Sequence, residues 1–329
     1  MKFIFLFFRN NFRKNALGNF AKTRFYGNFL FINLSGKINF FFYYFIKLFN
    51  FFKIISIEGN PLIYKNGINF WLTGTHMKIP EKYRHIKNNY VNIINPVLSD
   101  KEKIFQIYPI INNKWKLKKN PKIIYMGKFF FYNKDNIREK SNIRKLLKND
   151  YSKIDKKIFW KNNFSHLSQF EVFEKYKILK NFIREGIVKN IDNNFGKYFE
   201  IYVDGNPSIN LNNSKIYLAN YNIKKVKNIY NGNFCLDTGS IMGSSSLYPR
   251  SIQILESSGF ILQNRQHDSS NIWGNFEKFI TFSSSYELNN LIEKYLSDSH
   301  FREEVYFKLR DFNKNNIKKI ENSLNKVFK

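Results

Sequence analysis

Two charged side chains, Arg250 and Glu256, lie six positions apart in a short segment that is typical of a helix. The helix is predicted to end at Gly259, and a hydrophobic strand follows directly. Before it, residues 238–246 read Thr-Gly-Ser-Ile-Met-Gly-Ser-Ser-Ser, and such small side chains let backbone amides approach a phosphate. A guanidinium pairs with phosphate, and a carboxylate accepts hydrogen bonds from ribose hydroxyls. The segment therefore predicts a receptor for a nucleoside diphosphate.

The elements that must position these groups alternate between strand and helix through the second half of the chain. The predicted strands are 122–127, 198–205, 215–220 and 260–263. One apolar helix face is predicted over 169–186, and Ser284 with Glu287 forms a capping box before a second amphipathic helix. This alternation predicts an α/β fold with a parallel C-terminal sheet, helices on both of its faces and a Rossmann-like winding.

Two of the predicted strands end in residues that suit the same ligand. Gly127 is followed by Lys128, and Asp204 by Gly205. Because the carboxyl ends of parallel strands meet at one edge of a sheet, we expect these residues beside the loop at 238–246. For Asp204 and Gly205, an ordinary strand-end turn is the alternative.

Each residue of the opening segment also has a purely structural interpretation. Glu256 could be an exposed helix carboxylate, Arg250 could pair with a nearby acid or cap the loop, and the loop residues could form an ordinary turn. The loop residues in question are Gly243, Ser244 and Ser245.

A general base is harder to identify from the sequence. His76 lies just past a predicted strand end, and an imidazole titrates near neutral pH, so His76 is the candidate. A structural histidine is the alternative. Cys235 is the single cysteine, the five histidines are scattered and no Asp-x-Asp motif is present. We therefore expect neither a resident cofactor nor a catalytic metal.

The net charge of +29 is distributed unevenly along the 329 residues. Residues 1–120 hold 20 Lys and Arg against 4 Asp and Glu, whereas residues 201–329 hold 16 against 12. A basic half indicates an anionic partner, either nucleic acid or the anionic face of a membrane. Mutational bias toward codons rich in A and T, which also favours Phe, Tyr, Asn and Ile, is the alternative source of the lysines.

Two Rossmann-like domains are predicted. Residues 1–118 form a reduced, basic and aromatic one, and residues 119–329 form the one that binds the nucleotide ligand. The apolar segment Phe40–Ile55 contains Lys47, Asn50 and Lys53, so it falls short of the roughly 20 apolar residues that span a bilayer. A buried helix and a helix lying at the membrane interface are the two interpretations. The run Phe3–Phe8 is too short for an export signal.

Residues 122–325 resemble the C-terminal, donor-binding domain of two-domain (GT-B) glycosyltransferases of the group 1 type, and within them the subgroup related to spore-coat glycosyltransferases. The resemblance covers about 60% of the chain and rests on five short pieces that occur in a fixed order. They are Ile-Tyr-Met-Gly127, Ile-Tyr-Val-Asp-Gly205, the loop Gly239–Ser246, Pro249-Arg-Ser-Ile-Gln-Ile-Leu-Glu-Ser-Ser-Gly259 and Phe282-Ser-Ser-Ser-Tyr-Glu-Leu288.

The resemblance implies a role for each part of this segment. Glu256 would bind the ribose of a nucleotide sugar, while Arg250 and the backbone amides around Gly243–Ser245 would hold its diphosphate without a metal. Many relatives carry a second glutamate eight residues before the ribose-binding one, and here that position is Tyr248. A cytoplasmic enzyme of cell-envelope polysaccharide synthesis is implied, peripheral on the inner membrane face, with a glycan or lipid-linked acceptor.

Two other functions are compatible with the same sequence. The basic patches with interleaved aromatic residues are typical of a nucleic-acid-binding protein, such as an organellar ribosomal component from an A+T-rich genome. A glycosyltransferase-like fold without activity is the other, indicated by Tyr248 and by the short first domain.

Overall fold

The structure is a computed structural model that describes most of the second half of the chain and selected segments of the first. The described residues are 2–8, 19, 22, 24–34, 53–57, 67–71, 89–91, 106–111, 114–128, 147, 150–205, 209–240 and 247–327. Two six-stranded sheets organise them, one built from the first 91 residues and one from residues 123–282.

The first sheet is parallel except at one edge. Its strands are β1 (Lys2–Phe8), β2 (Arg24–Tyr26), β3 (Phe29–Leu34), β4 (Lys53–Ile57), β5 (Gly67–Trp71) and β6 (Asn89–Val91). Their order across the sheet is β2-β3-β1-β4-β5-β6, and only β2 runs antiparallel to its neighbour. The connection from β1 to β2 therefore begins and ends at the edge where β1 has its carboxyl end.

The helix predicted over Phe40–Ile55 is wrong at its C-terminal end. Residues 53–55 belong to β4, where Ile55 pairs in register with Leu6 of β1 and is buried. A short run rich in isoleucine suits the interior strand of a parallel sheet, which is covered on both faces. Residues 40–52 lie outside the described residues.

The second sheet is entirely parallel. Its strands are β7 (Ile123–Gly127), β8 (Phe199–Val203), β9 (Lys215–Leu218), β10 (Phe234–Asp237), β11 (Phe260–Asn264) and β12 (Thr281–Phe282). They lie in the order β12-β11-β10-β7-β8-β9. With β7 counted as the first strand, this is the doubly wound order 3-2-1-4-5-6, and the winding reverses between β7 and β10.

Helices cover both faces of the second sheet. They are α1 (Lys157–Asn163), α2 (Gln169–Phe195), α3 (Ile223–Tyr230), α4 (Pro249–Glu256), α5 (Ser269–Trp273), α6 (Glu277–Ile280), α7 (Ser285–Ser297), α8 (Ser299–Lys314) and α9 (Asn316–Val327), with single 3-10 turns at Tyr151–Asp155, Gly196–Tyr198 and Gly274–Phe276. Phe260 of β11 packs against Tyr295 of α7 and Tyr306 of α8. On the opposite face, Gln263 of the same strand bonds to Trp273 of α5. The predicted Rossmann-like α/β fold is confirmed.

The predicted elements of this half form with small shifts in their bounds. The helix expected over 169–186 continues to Phe195, because Ile187 and Ile191 extend its buried face by two turns. Ser284 caps α7 as expected by accepting a hydrogen bond from the Glu287 amide at 3.1 Å. The predicted capping box is completed differently, because the Glu287 carboxylate accepts from the Ser283 amide at 2.6 Å.

The last helix and the segment between the sheets connect the two halves. Helix α9 packs on β2, and the Glu321 carboxylate lies directly against the backbone of Gly27. The Asn316 side chain donates to the Pro109 carbonyl at 2.9 Å. Within the described part of the chain, no helix combines the length and the apolar character that a membrane span requires.

Candidate functional site

The winding reversal brings the carboxyl ends of β7 and β10 together. These strands are direct neighbours, with Tyr125 in register with Leu236. Lys128 follows the last residue of β7, and Thr238 and Gly239 follow β10. In doubly wound sheets the ligand crevice opens at this point, outside the carboxyl ends of the strands.

A buried arginine from α2 joins the two strand ends. The Arg184 guanidinium donates from Nε to Thr238 Oγ1 at 3.0 Å, from Nη1 to the Lys128 carbonyl at 3.2 Å and from Nη2 to the Gly239 carbonyl at 3.0 Å. Only 8% of the residue is exposed. All three acceptors are neutral, so these contacts leave the positive charge without a counter-ion.

Sequence reasoning missed Arg184, although the helix pattern held a signal. Residues spaced by four lie on one side of a helix, and Lys180, Arg184 and Val188 are all buried. Lys180 is neutralised by Asp155, with the two charged groups 3.0 Å apart. An arginine at a buried position of an apolar helix face needs either a structural partner or a ligand, and this position was the signal in the sequence.

Arg250 approaches the same crevice from the first turn of α4. Its Nη1 donates to the Tyr230 hydroxyl at 3.0 Å, and its guanidinium lies 5.8 Å from the centre of the Tyr221 ring. Burial raises the pKa of Tyr230 to about 12, although Arg250 opposes the shift, so this hydroxyl is neutral at physiological pH. Among the described residues, neither Arg250 nor Arg184 has a carboxylate within ion-pair distance.

The positive charges of Arg184 and Arg250 both act on the hydroxyl group of Tyr125. Burial raises the pKa of its hydroxyl, and the charges of Arg184 and Arg250 both oppose that rise. The Tyr221 and Tyr248 hydroxyls act on the same group. Position 127 requires glycine, because a β-carbon there would lie 2.7 Å from the Tyr125 hydroxyl oxygen. The residues Tyr125, Arg184, Tyr221, Tyr248 and Arg250 are called the switch-point cluster below.

An exposed ion pair lies at the same carboxyl edge of the sheet. Lys128 Nζ lies 2.5 Å from Asp204 Oδ2, and 57% and 44% of these side chains are exposed. The two residues follow β7 and β8, so the structure brings together the strand-end residues that the sequence indicated. Gly205 has a φ of 84°, which favours glycine after the strand.

A buried hydrogen-bond network fixes the start of the loop and the first turn of α4. The Asp237 carboxylate accepts from the Gly239 amide at 2.9 Å, from the Ser251 hydroxyl and from the Gln263 side chain at 3.1 Å. Gly239 adopts a φ of 74°, so glycine suits this turn. Helix α4 runs back from the carboxyl edge of the sheet, and its positive N-terminal end faces the crevice.

The structure does not bring Glu256 to Arg250. The two lie at opposite ends of α4, separated by about 9 Å of helix rise. The Glu256 carboxylate is 6% exposed and accepts hydrogen bonds from the backbone amides of Asn19 and Ile110. A ribose could reach this carboxylate only by displacing those segments, which differs from the open crevice that the sequence predicted.

The remaining predicted site residues are placed in part. Tyr248 precedes α4 as its N-cap residue and is partly buried. His76, Gly243, Ser244 and Ser245 lie outside the described residues. Within the described segments, no group of three or more His, Cys, Asp or Glu side chains is arranged to hold a metal ion.

Comparisons with known proteins give a structural likeness alone. No family model and no curated protein matches the chain. One similar solved structure is that of T4 phage beta-glucosyltransferase, described for its substrate binding and proposed catalytic mechanism. The match spans 100% of this chain and 99% of the phage enzyme, with 12% sequence identity and a TM-score of 0.48. A second structure of the T4 phage enzyme, in complex with UDP and Mn²⁺, gives 11% identity and a TM-score of 0.49. At such low identity the roles of individual residues do not transfer.

Proposed function

We propose that this protein is a glycosyltransferase that uses a nucleoside diphosphate sugar as donor, with the diphosphate bound at the switch-point cluster. The supporting observation is that two guanidinium groups, neither with an acidic partner among the described residues, both act electrostatically on one buried tyrosine hydroxyl. Buried cations are normally paired, because leaving one unpaired costs free energy. An anionic ligand at this place supplies the missing countercharge.

The chemistry of transfer explains why fixed cations are useful there. As the bond between sugar and phosphate breaks, negative charge grows on the leaving diphosphate. Arg184 is held by three hydrogen bonds, and Arg250 stands on a helix whose N-terminal end faces the crevice. Such preorganised donors stabilise developing charge without reorganising during the reaction. The half-exposed Tyr221 ring and the Asp204 carboxylate are suited to contact the base and the ribose hydroxyls.

The acceptor and its location remain predictions from the sequence. We expect a glycan or lipid-linked acceptor in cell-envelope polysaccharide synthesis, as in the group 1 enzymes related to spore-coat glycosyltransferases. The basic first half would rest on the inner membrane face, where each basic side chain near anionic lipid contributes about 1 kcal/mol. Salt-sensitive co-sedimentation with anionic vesicles is the expected result, and its absence would remove the membrane from the proposal.

Two catalytic details belong to the same proposal. His76 is the candidate base that takes the proton from the acceptor hydroxyl. The cationic residues of the cluster and the loop amides around Gly243–Ser245 are proposed to carry the diphosphate charge without a metal. Replacing His76 by alanine should lower the rate of transfer and leave donor binding unchanged, whereas a loss of donor binding would place the histidine elsewhere.

The decisive experiment measures binding of nucleoside diphosphates and their sugars. Thermal shift and calorimetry with UDP, GDP, ADP, CDP and representative sugars should identify one nucleotide that stabilises the protein. The same nucleotide should bind more weakly to the Arg184 and Arg250 variants. If no nucleoside diphosphate binds at millimolar concentration, the proposal is refuted.

The charge of the first 120 residues favours one other function, binding of nucleic acid. A protein that neutralises many phosphates shows a steep fall of affinity with salt, of about 0.9 in the log-log slope per phosphate contact on a duplex. A steep slope for RNA or DNA together with no nucleotide-sugar binding would select this second function.

A further inference from the structure

The carboxylate of Glu256 lies at a junction of three chain segments. Both oxygens accept from the Asn19 amide, at 3.0 and 2.9 Å, and Oε1 also accepts from the Ile110 amide at 3.0 Å. The Asn19 side chain in turn donates to the Ile110 carbonyl at 2.7 Å. The contacts form a closed ring that joins α4, the β1–β2 connection and the segment between the two sheets.

The ring is shielded from solvent on all sides. Asn19 is 5% exposed, Ile110 is 1% exposed and Glu256 is 6% exposed. Its donors come from 237 and 146 positions away along the sequence. Hydrogen bonds that are shielded from water are electrostatically stronger than exposed ones. Removing the carboxylate would leave two buried amides without this acceptor.

Asn19 lies in a connection at the carboxyl edge of the first sheet, which relates the ring to ligand binding. The β1–β2 connection begins and ends at the carboxyl edge of the first sheet, which is the edge where a doubly wound domain binds its ligands. Glu256 is the last residue of α4 and bonds to this connection, and the first turn of the same helix carries Arg250. One short helix therefore links the donor crevice to the ligand edge of the first domain.

We propose that Glu256 is a positioning residue that holds the first domain against α4, so that the acceptor edge faces the donor crevice. The carboxylate touches neither substrate and acts through the placement of Asn19 and Ile110. The inference rests on the proposed glycosyl transfer for its kinetic readout only. The attachment of the two domains is measured without any substrate.

Charge and burial make this attachment sensitive to pH. Burial raises the pKa of Glu256 to about 7, against the amide hydrogen bonds and the positive charges of Lys22 in the β1–β2 connection and Lys227 of α3. Because the attached state binds the proton more tightly than an exposed carboxyl, attachment weakens as the pH rises through 7.

Two substitutions separate the possible roles of the carboxylate. Glu256→Ala removes the acceptor, and we expect the domains to separate and kcat for transfer to fall at least tenfold, with the Kd of the nucleoside diphosphate changed less than twofold. Glu256→Gln resembles the protonated carboxyl, and we expect it to keep the domains attached at every pH. Glu304→Gln, on the exposed surface of α8, is the matched control and should change nothing.

Domain attachment is measured with a pair of spin labels. The single native cysteine, Cys235, is buried and its thiol pKa is raised by burial, so labels attach to introduced cysteines. Asn28→Cys and Ser270→Cys are exposed positions on the two halves. The distance distribution should broaden in Glu256→Ala at all pH values and in the wild type as the pH rises from 6 to 8. It should stay narrow in Glu256→Gln.

Each outcome has a defined meaning. A tenfold loss of nucleotide affinity in Glu256→Ala with an unchanged label distance would overturn the inference and restore a ribose contact. Unchanged distance and unchanged kcat would also overturn it. If no nucleotide binds even to the wild type, the proposed function fails while the label distances still decide the attachment. Should Glu256→Ala not fold, the wild type decides, because a distance distribution that stays as narrow at pH 8 as at pH 6 would overturn the inference.

Discussion

Replacing Arg250 with glutamine tests whether the switch-point cluster binds a diphosphate. The substitution removes one positive charge and a hydrogen bond to a neutral tyrosine. A charge-assisted contact to phosphate contributes about 1.5–3 kcal/mol, so the affinity for the cognate nucleoside diphosphate should fall about 10- to 150-fold. The lost bond to Tyr230 should lower the free energy of unfolding by only about 1 kcal/mol.

Calorimetric titration and chemical denaturation measure the two quantities on the same samples. Arg310→Gln is the matched control, because Arg310 on α8 pairs with exposed Asp311 and lies over the Phe307 ring. It makes the same chemical change away from the crevice, and both quantities should stay at the wild-type values. An Arg250→Gln protein that loses several kcal/mol of stability and binds nucleotide normally would refute the assignment, since the arginine would then be structural.

Three further predictions concern the rest of the site. Arg184→Met should abolish nucleotide binding and lower the free energy of unfolding by about 3 kcal/mol in denaturant titrations, because Thr238 and two carbonyls lose their donor; a stable variant with normal binding would contradict this. The raised pKa of Glu256, about 7 against 4.5, means that the native state binds its proton more tightly than the unfolded state. The resulting stability is complete below pH 4.5 and is lost as the pH rises through 7, by about 3 kcal/mol, and Glu256→Gln should lack this slope in urea titrations between pH 4 and 8. Transfer should persist in excess EDTA and gain nothing from Mn²⁺, and an activity that EDTA abolishes and Mn²⁺ restores would show that a metal carries part of the diphosphate charge.

Local signals were sufficient for the elements of the second half. Apolar runs predicted β7, β8 and β11, and the winding of the sheet followed from their alternation with helices. The capping serine of α7 was also readable, because a cap forms between residues three apart. In the first half the run that ends at Ile55 was taken for a helix, since a short apolar run has no period that separates a buried strand from a buried helix.

Gly259 illustrates how a correct local prediction can have a different cause. It was expected to end α4, and a glycine at a helix end commonly adopts a left-handed conformation. Here Ser258 has the positive φ, 61°. A β-carbon at Gly259 would instead lie 2.8 Å from the Cys235 sulfur and 2.9 Å from Ile254 Cγ2. The glycine is therefore required by the close approach of α4 to the sheet, which only the packed structure reveals.

The sequence alone determined the α/β class, the order of elements in the second half and the strand-end residues Lys128 and Asp204, because each depends on neighbours along the chain or on the rule that parallel strands share an edge. The tertiary structure decided the partners of the charged groups. Arg184 donates to carbonyls more than 50 positions away along the chain. Glu256 is bound by amides of the first domain and therefore does not face the donor crevice. A charged side chain is defined by what surrounds it after folding, and contacts between distant segments leave no spacing in the sequence to read.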